Sequence, residues 1–326
     1  MGRREPRYGE PGEIPVNVHV ICTAYGKKGP ERILPRHARY LHENLGWTVG
    51  REPDPQADVN YFLPFTNGWK HWGPWDLTDT AAFFTHKEPY GAKRSWWDEA
   101  REHHDLRICN APMYYDDLVQ HGPTELVQHC VEVSHFTLSP RKYDPETLPV
   151  VGINGFVNLG GRKGELLVYQ LNKYAATGHF RIKASGQGWP IESKWYRWED
   201  LPSQFYHRLD LLLCTSLVDA GPGGPLEALS CGIPVVIPSG VGIMDELPDT
   251  HGIYRYPRGD FDEMCGTILH CITELGTHDK RELRAITKDM TIRAFCDNHK
   301  RVFERHFRGD RDVAIQDGDI PGGEAE

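Results

Sequence analysis

The stretch from Leu211 to Leu247 constrains the fold of this chain more than any other. Leu211-Leu212-Leu213-Cys214 reads as a buried strand, and a loop follows, Ser216-Leu217-Val218-Asp219-Ala220-Gly221-Pro222-Gly223-Gly224. A short helix is predicted from Pro225, a residue suited to the first helical turn, to Gly232, suited to the C-terminal cap. Ile233-Pro234-Val235-Val236-Ile237 reads as the next strand. The result is a strand, glycine loop, helix and strand in succession, a unit of a parallel sheet. Its glycines let a ligand approach the backbone closely. The free N–H groups at the helix start favour a phosphate or diphosphate there. Asp219 and Glu227 stand eight positions apart, one in the loop and one in the helix. Carboxylates accept hydrogen bonds strongly and bidentately, so Asp219 suits sugar hydroxyls and Glu227 suits ribose hydroxyls.

The same alternation extends along the chain. Strands are expected at Val16 to Cys22, Val59 to Phe65, Ala81 to Thr85 and Leu106 to Cys109, with a helix ending near Gly46. A second set is expected at Val150 to Ile153, Phe180 to Ala184, Leu211 to Cys214, Ile233 to Ile237 and Gly252 to Tyr256. Alternating strands and helices imply an α/β fold with parallel sheets covered by helices. Between the sets, Ser139 to Pro149 is polar and carries three prolines, which marks a linker. The 326 residues suit two domains.

Composition narrows the function classes. No run of 18 or more apolar residues occurs, so no membrane span is expected, and the polar N-terminus lacks the apolar stretch of a signal peptide. The eight cysteines form no Cys-x-x-Cys pair, and several sit in apolar runs. Free thiols in a reducing compartment are therefore expected, and the predicted location is cytoplasmic. A net charge of −9 disfavours a general nucleic-acid coat or a polybasic anchor.

Glu227-Ala228-Leu229-Ser230-Cys231-Gly232-Ile233-Pro234-Val235-Val236, preceded by Asp219, resembles the donor-binding signature of retaining glycosyltransferases of family four. Glu246 also fits that pattern. The resemblance implies the GT-B fold, in which two Rossmann-like domains face each other across a cleft. It implies transfer of a sugar from a nucleotide-sugar, such as a UDP-sugar, to an acceptor hydroxyl with retention of configuration. It also implies that no metal and no further cofactor are needed. Asp219 departs from the family, which usually has Glu there. The implied division is a disordered N-terminus over 1–13 and an N-terminal acceptor domain over 14–147, completed by a crossing helix at about 290–306. A C-terminal nucleotide-sugar domain over 148–289 and a disordered acidic tail over 309–326 make up the rest.

Further positions carry the resemblance. Gly152 to Gly164 resembles the family's first loop of the donor domain, and Lys163 would place its ammonium on the donor diphosphate. Where the family usually has Arg five residues earlier, this chain has Asn158, and Arg162 is the neighbouring substitute. Gly186 and Gly188 resemble the family's Gly-x-Gly turn. The segment Trp189 to Trp198, with three tryptophans and Tyr196, lies where the family meets the nucleobase. His86 resembles the strand-end His that faces the reacting sugar, and Gly26 belongs to a loop resembling one that approaches the diphosphate or acceptor. The predicted catalytic residues are thus His86, Asp219 and Lys163, and the predicted donor-binding residues are Arg162, Gly186, Gly188, Gly223, Gly224, Glu227 and Gly26. Trp69 to Trp75 is a candidate acceptor lining. Asp260-Phe261-Asp262 reads as helix capping rather than a metal motif. The acceptor is left open among a glycan, a small metabolite and a hydroxymethylated DNA base. A nucleotide-sugar epimerase on the same fold and a non-catalytic nucleotide-sugar or glycan-binding module are the alternative readings.

Overall fold

The computed structural model describes residues 16–27, 32–71, 79–88, 91–157 and 160–308. The expectations for 1–13, for 309–326, for Asn158 and for most of the 69–75 segment lie outside the described residues or their side chains.

The first half runs β1 (Val18–Ile21), α1 (Ile33–Leu45), β2 (Thr48–Gly50), β3 (Val59–Phe62), α2 (Thr66–His71), β4 (Asp79–Phe84), α3 (Ala92–His103), β5 (Leu106–Cys109), α4 (Pro112–Leu118) and β6 (Thr124–Leu126). The second runs β7 (Val150–Phe156), α5 (Glu165–Ala175), β8 (Arg181–Gln187), β9 (Ser193–Lys194), α6 (Leu201–Gln204), β10 (Leu211–Leu213), α7 (Gly223–Ser230), β11 (Val235–Pro238), β12 (Ile253–Tyr256) and α8 (Phe261–Glu274). The helices α9 (Lys280–Ala285) and α10 (Ile292–Phe307) follow.

Two six-stranded sheets result, β2-β1-β3-β4-β5-β6 and β12-β11-β10-β7-β8-β9, and every recorded pairing is parallel. The strand order of the second sheet reverses between β7 and β10, and open α/β sheets bind ligands beyond the strand ends at such a point. The loops after β7 and β10 carry Lys163 and Asp219.

Local sequence explains the elements that frame the cleft. α1 has Pro35 in its first turn and ends where Gly46 turns left-handed (φ 73°), donating its N–H to the His42 carbonyl. Its buried face carries Arg36, His37, Ala38, Tyr40 and Leu41. α7 begins at Gly223, two residues before the predicted Pro225, because the extended Pro222 supplies the N-cap. Asp260 caps α8 by accepting from the Glu263 N–H at 3.0 Å. Three strands escape sequence reading: β2, β6 and β9 are only two or three residues long, and each has one exposed position.

Phe295, Cys296, Val302 and Phe303 of α10 pack with Val18, Tyr61 and Phe83 in the core of the first sheet. The linker is pinned by Arg141, which donates to both oxygens of Asp210 at 2.8 Å, and Asp210 also accepts the Val150 N–H. All eight cysteines are free, and all but Cys130 are fully buried. No helix among the described residues is long and apolar enough to cross a membrane.

Buried histidines give the first domain a pH dependence. Burial is the leading cause that lowers His129 and His299 to about 4 and His104 to about 3, and it holds His37 well below the ordinary value. Unfolding returns each to about 6.5, so the unfolded chain binds more protons below that pH. Stability is therefore complete above pH 6.5 and falls as pH drops toward 4, by about 1.4 kcal/mol per pH unit for each histidine. Denaturant unfolding followed across pH 7 to 4 measures this slope; a flat profile would contradict it.

Candidate functional site

The cleft between the two sheets has a volume of about 370 Å³ and takes its walls from both domains. That is within the range of small-molecule sites, which run from about 300 to 1,000 Å³.

Its charged centre is built by two loops of the second sheet. The Leu217 and Val218 N–H groups donate to the Arg162 carbonyl, and the Thr215 hydroxyl donates to the Lys163 carbonyl at 2.7 Å. The close approach requires Gly164: it is left-handed (φ +75°), and a Cβ there would lie 2.1 Å from the Thr215 carbonyl oxygen. Held this way, Lys163 Nζ donates to Asp219, and Arg162 Nη1 donates to Asp219 at 3.3 Å and to the Val218 carbonyl at 3.0 Å. Burial alone would raise the Asp219 carboxyl, but Lys163 and Arg162 outweigh it and hold the group well below the ordinary carboxylate range.

The first domain meets this centre through the end of β4. His86 Nε2 lies 3.1 Å from Glu88 Oε1, and Nδ1 lies 3.2 Å from the Thr85 hydroxyl. Arg162 Nε stands 3.9 Å from the same Glu88 carboxylate. Burial, then Arg162, lowers His86 to about 4, so the ring is neutral at pH 7. With a carboxylate partner at Nε2, the neutral ring carries its proton there, an assignment from its partners.

Glu227 projects from the first turns of α7 and is buried. Oε2 accepts from the Tyr206 hydroxyl and from Asn154 Nδ2 at 3.3 Å, whereas Oε1 has only Arg36 Nη2 at 3.5 Å. Oε1 therefore keeps accepting capacity toward the cleft. Arg36 comes from α1 of the other domain and sits over Trp198, its Cζ 3.6 Å from the ring centroid, and Trp198 in turn stacks on His135. Trp189 is buried and donates its indole N–H to the Ser185 carbonyl. Of the three tryptophans, only Trp195 is exposed on the cleft wall, at 40%.

The floor holds two side chains with unpaired polar atoms. Asn110 follows β5, is 1% exposed, and leaves both amide atoms unpaired; His129 follows β6 and leaves Nδ1 unpaired. Both face the loop at Gly221, where a Cβ would lie 2.2 Å from His129 Cδ2 and 2.7 Å from Asn110 Nδ2. Buried polar atoms are nearly always paired, so unpaired ones on a cleft floor mark places for ligand groups.

His86, Lys163, Arg162, Asp219, Gly186, Gly223, Gly224 and Glu227, predicted from widely separated motifs, come together in this one cleft. Gly26, exposed in a left-handed turn (φ +67°), and Gly188 do not line it. Gly188 serves packing, since a Cβ would lie 2.6 Å from the Val157 carbonyl oxygen. Glu246 is exposed outside the cleft. Asp117 is engaged by Lys87, Trp97 and Arg101. Sequence reasoning missed Arg36, Asn110, His129 and Tyr206. The one available signal was an Arg on the buried face of an amphipathic helix.

Gly186 lines the cleft and sits where β7 and β8 approach closely. It has φ +110°, and a Cβ would stand 1.9 Å from the carbonyl oxygen of its partner Gly155. Gly186→Ala is expected to cost about 3 kcal/mol, because the obstacle is backbone. Urea denaturation reads the loss, and an unchanged midpoint would contradict it.

Known structures share this architecture. HepE from Anabaena, solved in complex with UDP and glucose, aligns with a TM-score of 0.62 at 14% identity over 89% of this chain and 99% of that one. The fold is that of GT-B glycosyltransferases. Sucrose-phosphate synthase from Thermosynechococcus elongatus aligns at 0.60 and 12% identity, covering 85% of this chain and 79% of that chain. S. aureus TarM aligns at 0.57 and 12% identity over 75% of this chain, but the match spans only 55% of TarM. At these identities the likeness is one of fold. No family model matches the chain, and a search of curated proteins finds no match.

Proposed function

We propose that this chain is a glycosyltransferase that moves a sugar from a nucleoside-diphosphate sugar to an acceptor hydroxyl. The observation that carries the reading is the meeting of Lys163, Arg162 and the α7 start with Asp219 and Glu227 in one interdomain cleft. Each part matches one part of such a donor. Glu227 Oε1 accepts from the ribose hydroxyls. The N–H groups at Gly223 and Gly224, with Lys163 and Arg162, bind the diphosphate and neutralise it as it leaves. Trp195 supplies the exposed ring for the nucleobase. Asp219, Asn110 and His129 take the sugar hydroxyls, and His86, kept neutral and oriented by Glu88, lies beside them.

Lys163 and Arg162 are already matched by Asp219 and Glu88, so an arriving diphosphate takes over the two cations and frees Asp219 for the sugar. Basic side chains and helix N–H groups suffice for the developing charge, so the proposed reaction needs no metal. Retention of configuration is proposed with it, the departing phosphate helping to take the acceptor proton. The acceptor proposed is a glycan or small metabolite: Arg36, Arg162 and Lys163 are matched by carboxylates, so the cleft offers no continuous basic track for a nucleic-acid backbone.

The test is release of nucleoside diphosphate from a panel of nucleotide-sugars, with and without glycan acceptors, and the anomeric configuration of the product read by NMR. Transfer with the donor's configuration is expected. Folded protein that releases no diphosphate from any donor would overturn the reading, and an inverted product would overturn retention alone.

A further inference from the structure

Behind the cleft wall, the second domain carries a separate hollow of about 470 Å³, lined by Arg141, Arg181, Lys183, Lys194, Arg208 and Tyr196, among others. No carboxylate lines it, in a chain whose net charge is −9. The register of the sheet explains the convergence. Arg181 and Lys183 are two apart on β8, and Lys194 of β9 pairs with Ser185, again two further on. Side chains alternate across a strand and paired residues share a face, so all three cations leave the same face of the sheet. Arg208, from the turn that follows α6, and Arg141, from the linker, reach the same hollow.

Among the described residues, Arg181, Lys183, Lys194 and Arg208 have no ion-pair partner, whereas Arg141 is held by Asp210. Lys183 is fixed by donating to the Gln204 carbonyl at 2.6 Å. Its ammonium is depressed by burial first and then by Arg208 and Lys194, a repulsion that an anion would relieve. Lysines on edge strands discourage unwanted strand pairing, but that purpose asks nothing of Arg141 or Arg208. Tyr196 lines both this hollow and the cleft, so the two share a wall.

We infer that this hollow is a second anion site, which binds the phosphate or diphosphate group of a small molecule beside the donor cleft. The size admits a compact anion, and the fork of Arg208 with the point charges of Lys183 and Lys194 suits clustered phosphate oxygens, while Arg141, its fork held by Asp210, only borders the hollow. The group is carried by the acceptor or by a free effector, and both sources present the same chemistry.

Inorganic tripolyphosphate is the probe. Calorimetric titration at low salt should show it binding wild type, and Lys183→Ala/Arg208→Ala should weaken that binding at least tenfold while UDP affinity is unchanged. Both residues are partly or fully exposed, and circular dichroism checks that the variant folds. Lys163→Ala, which alters the cleft, should leave tripolyphosphate binding in place. Absence of binding, or binding lost with Lys163→Ala and kept in the double variant, would overturn the inference. So would tighter binding of a short DNA duplex through the same residues, which would make the patch a nucleic-acid track. In the diphosphate-release assay, tripolyphosphate that competes with the acceptor assigns the site to an acceptor phosphate; a change in rate without competition assigns it to an effector. Tripolyphosphate binding without binding of any nucleoside diphosphate would sink the donor reading and leave this inference standing.

Discussion

Glu227→Ala is expected to weaken nucleoside-diphosphate binding about 100-fold, the scale of losing hydrogen bonds to a charged acceptor worth about 1.5–3 kcal/mol. The substitution removes Oε1, the oxygen with unused accepting capacity on the cleft. It also strips the acceptor from the Tyr206 hydroxyl, Asn154 and Arg36, which meet on this one carboxylate from two domains. The side chains of Arg36 and Glu227 are only 11% and 9% exposed. Removing one partner of a buried pair leaves the other charge unmatched, at a cost of about 3 kcal/mol. Glu227→Gln separates the two effects, because its amide oxygen keeps an acceptor for Tyr206 while the charge that attracts ribose hydroxyls and Arg36 is gone. Calorimetric titration with nucleoside diphosphates, alongside urea denaturation of each variant, resolves binding from stability. Wild-type affinity in Glu227→Ala would remove this residue from the donor site.

Lys163→Ala is expected to lower turnover by about 10²–10³, the usual loss when one preorganised stabiliser of a developing oxyanion is deleted. Lys163 is the leading influence that depresses the Asp219 carboxyl against the opposing effect of burial, and Arg162 remains beside it in the variant. Asp219 is therefore expected to titrate higher when Lys163 is gone. A depressed carboxyl contributes stability above its unfolded value, about 3.9, and loses it as pH falls below. The variant should forfeit part of that contribution at neutral pH and show a smaller loss on acidification. Lys163→Arg should restore only part of the rate, since a planar fork does not reproduce a point charge. Diphosphate release at saturating donor measures turnover, and a rate equal to wild type would exclude Lys163 from the chemistry.

The second sheet's half of this cleft was legible in the sequence because its residues lie in short ordered motifs. Leu211 to Cys214, the glycine loop and Glu227 appear within one unit, and Gly164 next to Lys163 marks a backbone approach that only glycine permits. Of the contributions of the first domain, only His86 at the end of β4 was legible. Arg36 meets Glu227 across 191 positions, and an Arg within an amphipathic helix carries no mark of a partner in another domain. Asn110 and His129 stand as ordinary polar residues after short strands. The three tryptophans could not be told apart until the fold buried Trp189, covered Trp198 with Arg36 and left Trp195 exposed. β9 is two residues long, too short for any periodicity, yet it places Lys194 in the basic hollow.

The central claim is that the cleft binds a nucleotide-sugar through its diphosphate. Thermal unfolding of the wild-type protein across nucleoside diphosphates and nucleotide-sugars tests it most directly. One nucleotide series should stabilise the protein, by about 2.7 kcal/mol at a hundredfold excess over Kd. Correctly folded protein stabilised by none of them would contradict the claim.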